Sequence, residues 1–122
     1  MMEHANTKNL LCVLSGPVTS LKVKHVWVSD GQKYEMRPPT FLVIDVGPDP
    51  PATPGGSGVM LFRFEATGEC VGDTWHQNID DAKHQASFEY EGLAQEWEEV
   101  PAGIDMVEYG IARVSAMRGK VH

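Results

Sequence analysis

Residues 59–93 read VMLFRFEATGECVGDTWHQNIDDAKHQASFEYEGL, and this stretch decides the fold class. In VMLFRFE (59–65), Met60, Phe62 and Phe64 share one face, because successive side chains of a strand point to opposite sides. ATGE (66–69) is a turn, and Gly68 supplies the left-handed backbone that a turn with a bulge requires. ECVGD then returns antiparallel, so 59–73 is predicted to be a hairpin. The apolar period next lengthens. Asn78 is a good N-cap, with Asp81 three residues on in a capping-box-like position. Asp80 and Asp81 place carboxylates in the first turn, where the helix end is positive. At about 100° per residue, Ile79, Ala82, Ala86, Tyr90 and Leu93 cluster within about 60°. That stripe predicts a helix over 79–91, terminated at Gly92. A hairpin followed by a helix with one apolar stripe is a sheet with a helix laid on it.

The flanking sequence extends the same pattern. LLCVLS (10–15) is an apolar run ended by Gly16-Pro17. Residues 18–28 alternate with a period of two and are rich in β-branched side chains, which argues for a strand. Asp30-Gly31 supplies a hairpin turn, and KYEM (33–36) pairs back. TFLVIDV (40–46) is nearly continuous in apolar residues and reads as a central strand. GPDPPATPGGSG (47–58) cannot hold regular structure and reads as a long loop. Its glycine cluster lacks the Gly-Lys-Ser/Thr ending of a phosphate loop and leads into a strand. EWEEV (96–100) reads as a short strand stopped by Pro101. In 105–118, Val107, Ile111, Val114 and Met117 fit a helix with Asp105 as its cap, although Val107, Tyr109 and Ile111 also fit a strand. The expectation is a single α+β domain over 1–122. An antiparallel sheet of about five to six strands carries the 79–91 helix on one face, and a C-terminal helix follows.

With 122 residues, the chain is long enough to bury a core without staples. It has no run of about 18 apolar residues that could span a membrane. The opening residues have too short an apolar run for a signal-peptide core. A cytoplasmic protein with reduced thiols is therefore expected. Cys12 and Cys70 each lie in an apolar stretch and are expected to be buried. The net charge is −7, and it is unevenly placed. Residues 1–58 carry five acids and five bases, whereas 59–122 carry twelve acids and five bases. Such a surface repels phosphate backbones, so nucleic acid is an unexpected partner. It attracts basic proteins.

Candidate sites concentrate in GDTWHQNIDDAKHQ (72–85). No metal site and no cofactor are expected there. His76 and His84 are eight residues apart, about 12 Å along a helix, which is too far for one ion. Asp80 and His84 are four apart and share a helix face, where a carboxylate–imidazole pair suffices. Trp75 is expected to pack on Ile79 as a staple of the first turn. Phe88 lies opposite the apolar stripe, where Trp97 is expected either to cover it or to leave it exposed. His25, on a strand face with Trp27, reads as a core or edge histidine. Asp73 with His76, at the junction of hairpin and helix, is the one pair these structural roles do not absorb. The expected function is a non-catalytic interaction or regulatory module that binds a basic partner or self-associates through an open sheet edge. Trp75, His84, Phe88 and Trp97 are its candidate binding residues. The alternative is a small hydrolase or metal-dependent enzyme that uses Asp73 and His76.

Overall fold

A computed structural model describes residues 9–16, 18, 26–35, 37–46 and 58–119. In chain order the elements are β1 (Leu10–Val13), β2 (Val26–Ser29), β3 (Gln32–Glu35), β4 (Phe41–Asp45), β5 (Val59–Phe64), β6 (Cys70–His76), α1 (Ile79–Glu89), β7 (Glu98–Glu99) and α2 (Met106–Gly119). Five strands form one antiparallel sheet in the order β6-β5-β4-β1-β7, and β2 and β3 form a separate hairpin. The architecture is α+β. The sequence around His25 and the loop over 47–57 lie outside the described residues.

The turns follow their residue chemistry. Asp30 and Gly31 both have positive φ, 53° and 78°, as a two-residue hairpin turn of the primed type demands. Gly68 has φ 93° between β5 and β6. The β5–β6 register shifts after Arg63, so Val71 is an extra residue on β6, a β-bulge. β6 is longer than the sequence pattern suggests and runs through His76.

β4 lies at the centre, with Phe41, Leu42, Val43 and Ile44 all fully buried. Burial on both faces explains its unbroken apolar run. Even-numbered Leu42 and Ile44 join Cys12, Leu14, Val59 and Leu61 against Ala82, Ala86 and Tyr90 of α1. Odd-numbered Phe41 and Val43 join Leu11 and Phe64 against Val114 of α2. Each helix thus covers one face of the sheet. α1 carries the chain from β6 at one edge to β7 at the other, and α2 closes the opposite face. The C-terminal segment resolves as helix α2 (Met106–Gly119), where Asp105 Oδ2 accepts the Glu108 amide at 2.9 Å and Gly110 brings the helix against the Phe41 ring.

Two side-chain expectations change, those for Cys70 and Trp75. Cys12 is buried, and burial pushes its thiol up to about 11. Cys70, expected to be buried, is exposed, because it starts the edge strand β6 beside a tight turn. Trp75 does not staple Ile79. It projects from the α2 side of β6, opposite Met60, and its ring lies across Gly58. Trp97 packs on the α1-side core and Phe88 is 54% exposed, one of the two outcomes expected for it.

Candidate functional site

The polar residues at the β6–α1 junction divide between the two faces of the sheet. On β6, Thr74 pairs with Leu61 and His76 with Val59, so both face α1. Asp73 pairs with Phe62 and Trp75 with Met60, so both face the α2 side. A period of two separates residues 73 and 76 onto opposite faces. The expected Asp73–His76 pair is therefore not brought together.

His76 has other partners. Its Nε2 lies 2.7 Å from Thr74 Oγ1, and its Nδ1 lies 3.3 Å from Asp81 Oδ2. Thr74 Oγ1 also accepts from Arg63 Nη2 at 3.2 Å. Arg63 is fully buried and donates through Nε and Nη2 to both Glu89 oxygens, at 3.2 and 2.7 Å. Its Nη1 donates to the Leu61 carbonyl at 3.2 Å. Gln85 Nε2 completes the chain, donating to Glu89 Oε2 at 2.6 Å. A line of hydrogen bonds thus runs Gln85–Glu89–Arg63–Thr74–His76–Asp81 between α1 and the β5–β6 hairpin.

The chain has a direction. Arginine can only donate, so Thr74 accepts from it, and the Asp81 carboxylate can only accept, so a neutral His76 leaves Nε2 to accept the Thr74 hydroxyl hydrogen. In the neutral imidazole the proton then sits on Nδ1 and is donated to Asp81, a tautomer assigned by the network. Asp81 serves twice. Its amide donates to Asn78 Oδ1 at 2.7 Å, which caps α1. Its carboxylate reaches His76, so the capping-box geometry couples the helix start to the strand end. The Tyr90 hydroxyl is buried close to Arg63 and Glu89, yet no described residue makes a well-formed hydrogen bond to it. Burial, chiefly, raises the Tyr90 pKa; the Arg63 charge opposes the shift and Glu89 adds to it.

Chemically, this buried line does what a charge pair inside a protein requires. Uncompensated charge there is costly, and bidentate pairing with satisfied outer contacts offsets that cost. Thr74, His76 and Asp81 do follow the hydroxyl–base–carboxylate order of a nucleophilic site. However, the Thr74 hydroxyl is held between Arg63 and His76 at the sheet–helix interface. Among the described residues, no three His, Cys, Asp or Glu side chains converge to hold a metal ion.

The other predicted residues scatter. His84 and Phe88 line a shallow groove on the outer face of α1 with Asp80, Lys83 and Ser87. Asp80 and His84 share that face without forming an ion pair. Trp75 is 60% exposed at the far side of the sheet, on edge strand β6 beside exposed Asp73. Sequence reasoning missed Arg63, Gln85 and Glu89. One signal was available: Arg63 has the same strand parity as Val59 and Leu61, which places a charge on an inward face. No family model matches the sequence, and comparisons with curated proteins and with solved structures found no match. No described helix is long and apolar enough to cross a membrane.

Proposed function

We propose that the chain is a non-catalytic interaction module that binds a basic protein partner in the cytoplasm. The observation that carries this reading is the exposed Trp75 on edge strand β6. A large aromatic at 60% exposure, set across Gly58 and flanked by Asp73, is the kind of anchor that concentrates binding energy. An indole face also attracts Lys and Arg cations. The surrounding charge supports the same partner. From Glu65 to Glu108 the sequence holds twelve acids.

 Within the span itself Lys83 is the single base. Of the two flanking arginines, Arg63 is buried on Glu89 and Arg113 is paired with Glu98 at 3.1 Å. Asp73 and Asp80 have no ion-pair partner among the described residues, whereas Glu69 just before β6 is paired with Arg37 at 3.1 Å.

Titration calorimetry with a lysine-rich peptide tests this reading. Binding is expected at low salt and is expected to weaken at high salt, because exposed charges are screened within about 10 Å at 0.1 M. Trp75→Ala and Asp73→Asn are each expected to lower affinity about tenfold, the scale of roughly 1.4 kcal/mol per lost contact. Binding indifferent to both substitutions overturns the reading, as does the absence of binding at low salt.

A small hydrolase with His76 as base is the second reading, favoured by the 2.7 Å contact between His76 Nε2 and Thr74 Oγ1. Its carboxylate is Asp81 rather than Asp73. Turnover of an activated ester that is lost in Thr74→Val, with the fold intact, is the result that supports it.

A further inference from the structure

We propose that β6 binds its partner by strand addition, taking up an extended basic segment as a sixth strand of the sheet. This inference rests on the interaction reading above and adds the geometry of the bound segment. β6 is seven residues long and ends the sheet; among the described residues, no strand pairs with its outer edge. The opposite edge, β7, is only two residues long. A row of open backbone donors and acceptors is a template for another strand. Seven residues present about 23 Å of it, at about 3.3 Å per residue.

The side chains of β6 choose the occupant. On the α2 side, Asp73 and Trp75 are two residues apart and therefore neighbours along one face. In an added strand, the residues opposite them are also two apart. A Lys or Arg across from Asp73 makes an opposite-charge cross-strand pair, and a second one across from Trp75 stacks on the indole. The recognised pattern is therefore basic residues at alternate positions. Exposed Asp80 follows β6; of the other nearby carboxylates, Glu69 is paired with Arg37 at 3.1 Å and Asp81 reaches His76. On the α1 side, Thr74 and His76 are held in the buried hydrogen-bonded line and offer no comparable anchor.

A second copy fits this edge less well than a basic segment. It brings the same carboxylates and the same net charge of −7. A two-fold axis through Asp73 sets Asp73 against its own copy, and one through Val71 sets Asp73 against Glu69. Like charges directly opposite each other destabilise a strand pair. Gly58 contributes to the site by leaving room for the indole. A Cβ there would lie 2.0 Å from Trp75 Nε1, so any larger residue displaces the ring.

The experiment uses the full chain and a ten-residue peptide that alternates lysine with valine. Two further peptides carry backbone N-methyl groups on either alternate set of residues. Only one set of amides in an added strand faces β6. One methylated peptide is therefore expected to bind at least tenfold more weakly than the parent, and the other to bind like the parent. Amide exchange of β6 is expected to slow on binding of the parent peptide. Gly58→Val is expected to weaken the parent peptide as Trp75→Ala does. Equal binding of all three peptides, still dependent on Asp73 and Trp75, overturns strand addition while leaving the interaction reading intact. Failure of the parent peptide to bind at low salt, in a chain that still binds the lysine-rich peptide, overturns it as well. Failure of both overturns the two readings together. A salt-strengthened dimer that protects the β6 amides replaces the basic segment with a second copy and also overturns the proposal.

Discussion

The two faces of the sheet are built from the same strands yet solve different problems. The α2 face is dry. Phe41 and Phe64 stack with ring centroids 5.1 Å apart, Phe62 follows at 6.0 Å from Phe64, and the helix comes close through Gly110. The α1 face has an equally apolar centre, but its β6 side carries the line from Gln85 to Asp81. One face is specified mainly by shape, with Glu98 accepting from Tyr109 and Arg113 at its β7 rim; the other carries hydrogen-bond direction into the buried interface. Shape tolerates exchange of similar hydrophobes, whereas a buried charge fails when one partner is lost. The lesson is that strand alternation distributes residues between two cores, and each core then has its own chemistry.

The largest expected effect lies on the α1 face. Arg63→Met leaves Glu89 buried without its bidentate partner and is expected to cost about 3–5 kcal/mol in urea unfolding. Adding Glu89→Leu to it is expected to recover most of that loss, since an apolar pair of similar volume is often as stable as the ion pair. A loss under about 1 kcal/mol for Arg63→Met breaks the comparison.

On the α2 face, Gly110→Ala probes shape. A Cβ at this position would lie 2.2 Å from the Phe41 ring. Overpacking of this kind costs about 1–3 kcal/mol, offset by up to about 1 kcal/mol of helix propensity. A net loss of about 1–2 kcal/mol is expected, with Phe41→Leu relieving part of it in the double variant. A stabilised Gly110→Ala protein would mean that the ring has room to move and that this face is loosely packed.

Tyr90→Phe gives the smallest effect and sharpens the contrast most. The hydroxyl is buried without a well-formed hydrogen bond to a described residue, so its removal deletes a poorly satisfied group. Stability is expected to stay level or rise by up to about 1 kcal/mol, measured by thermal and urea unfolding. A loss above about 1 kcal/mol assigns the hydroxyl a working bond to Arg63 or Glu89.

Local chemistry made much of this fold legible. The β5–β6 hairpin, the Asn78 cap and the stripe Ala82, Ala86, Tyr90 are set by residues close together in the chain, and so is the Asp105 cap of α2. The unbroken run Phe41–Ile44 announced burial on both sides, although it could not say that a helix lies on each. The site was less legible. Gly68 signalled the turn, yet nothing signalled the bulge at Val71. Extending β6 through His76 then decided which residues look inward. Thr74 and His76 turn to α1, and Asp73 and Trp75 turn away. Trp75 was expected to staple the helix because it stands just before it, but strand parity sends it to the other side.

By itself, the sequence determined the α+β class, the hairpin turns, the helix starts and the surplus of carboxylates after residue 65, because periodicity, capping and charge are local or additive properties. Only the tertiary structure decided which helix covers which face, that Arg63 meets Glu89 across 26 positions, and that β6 ends the sheet with Trp75 exposed. Those outcomes depend on strand order and on a one-residue register shift. Each brings together residues distant in the chain, and a single step of register is enough to move a side chain from the core to the surface.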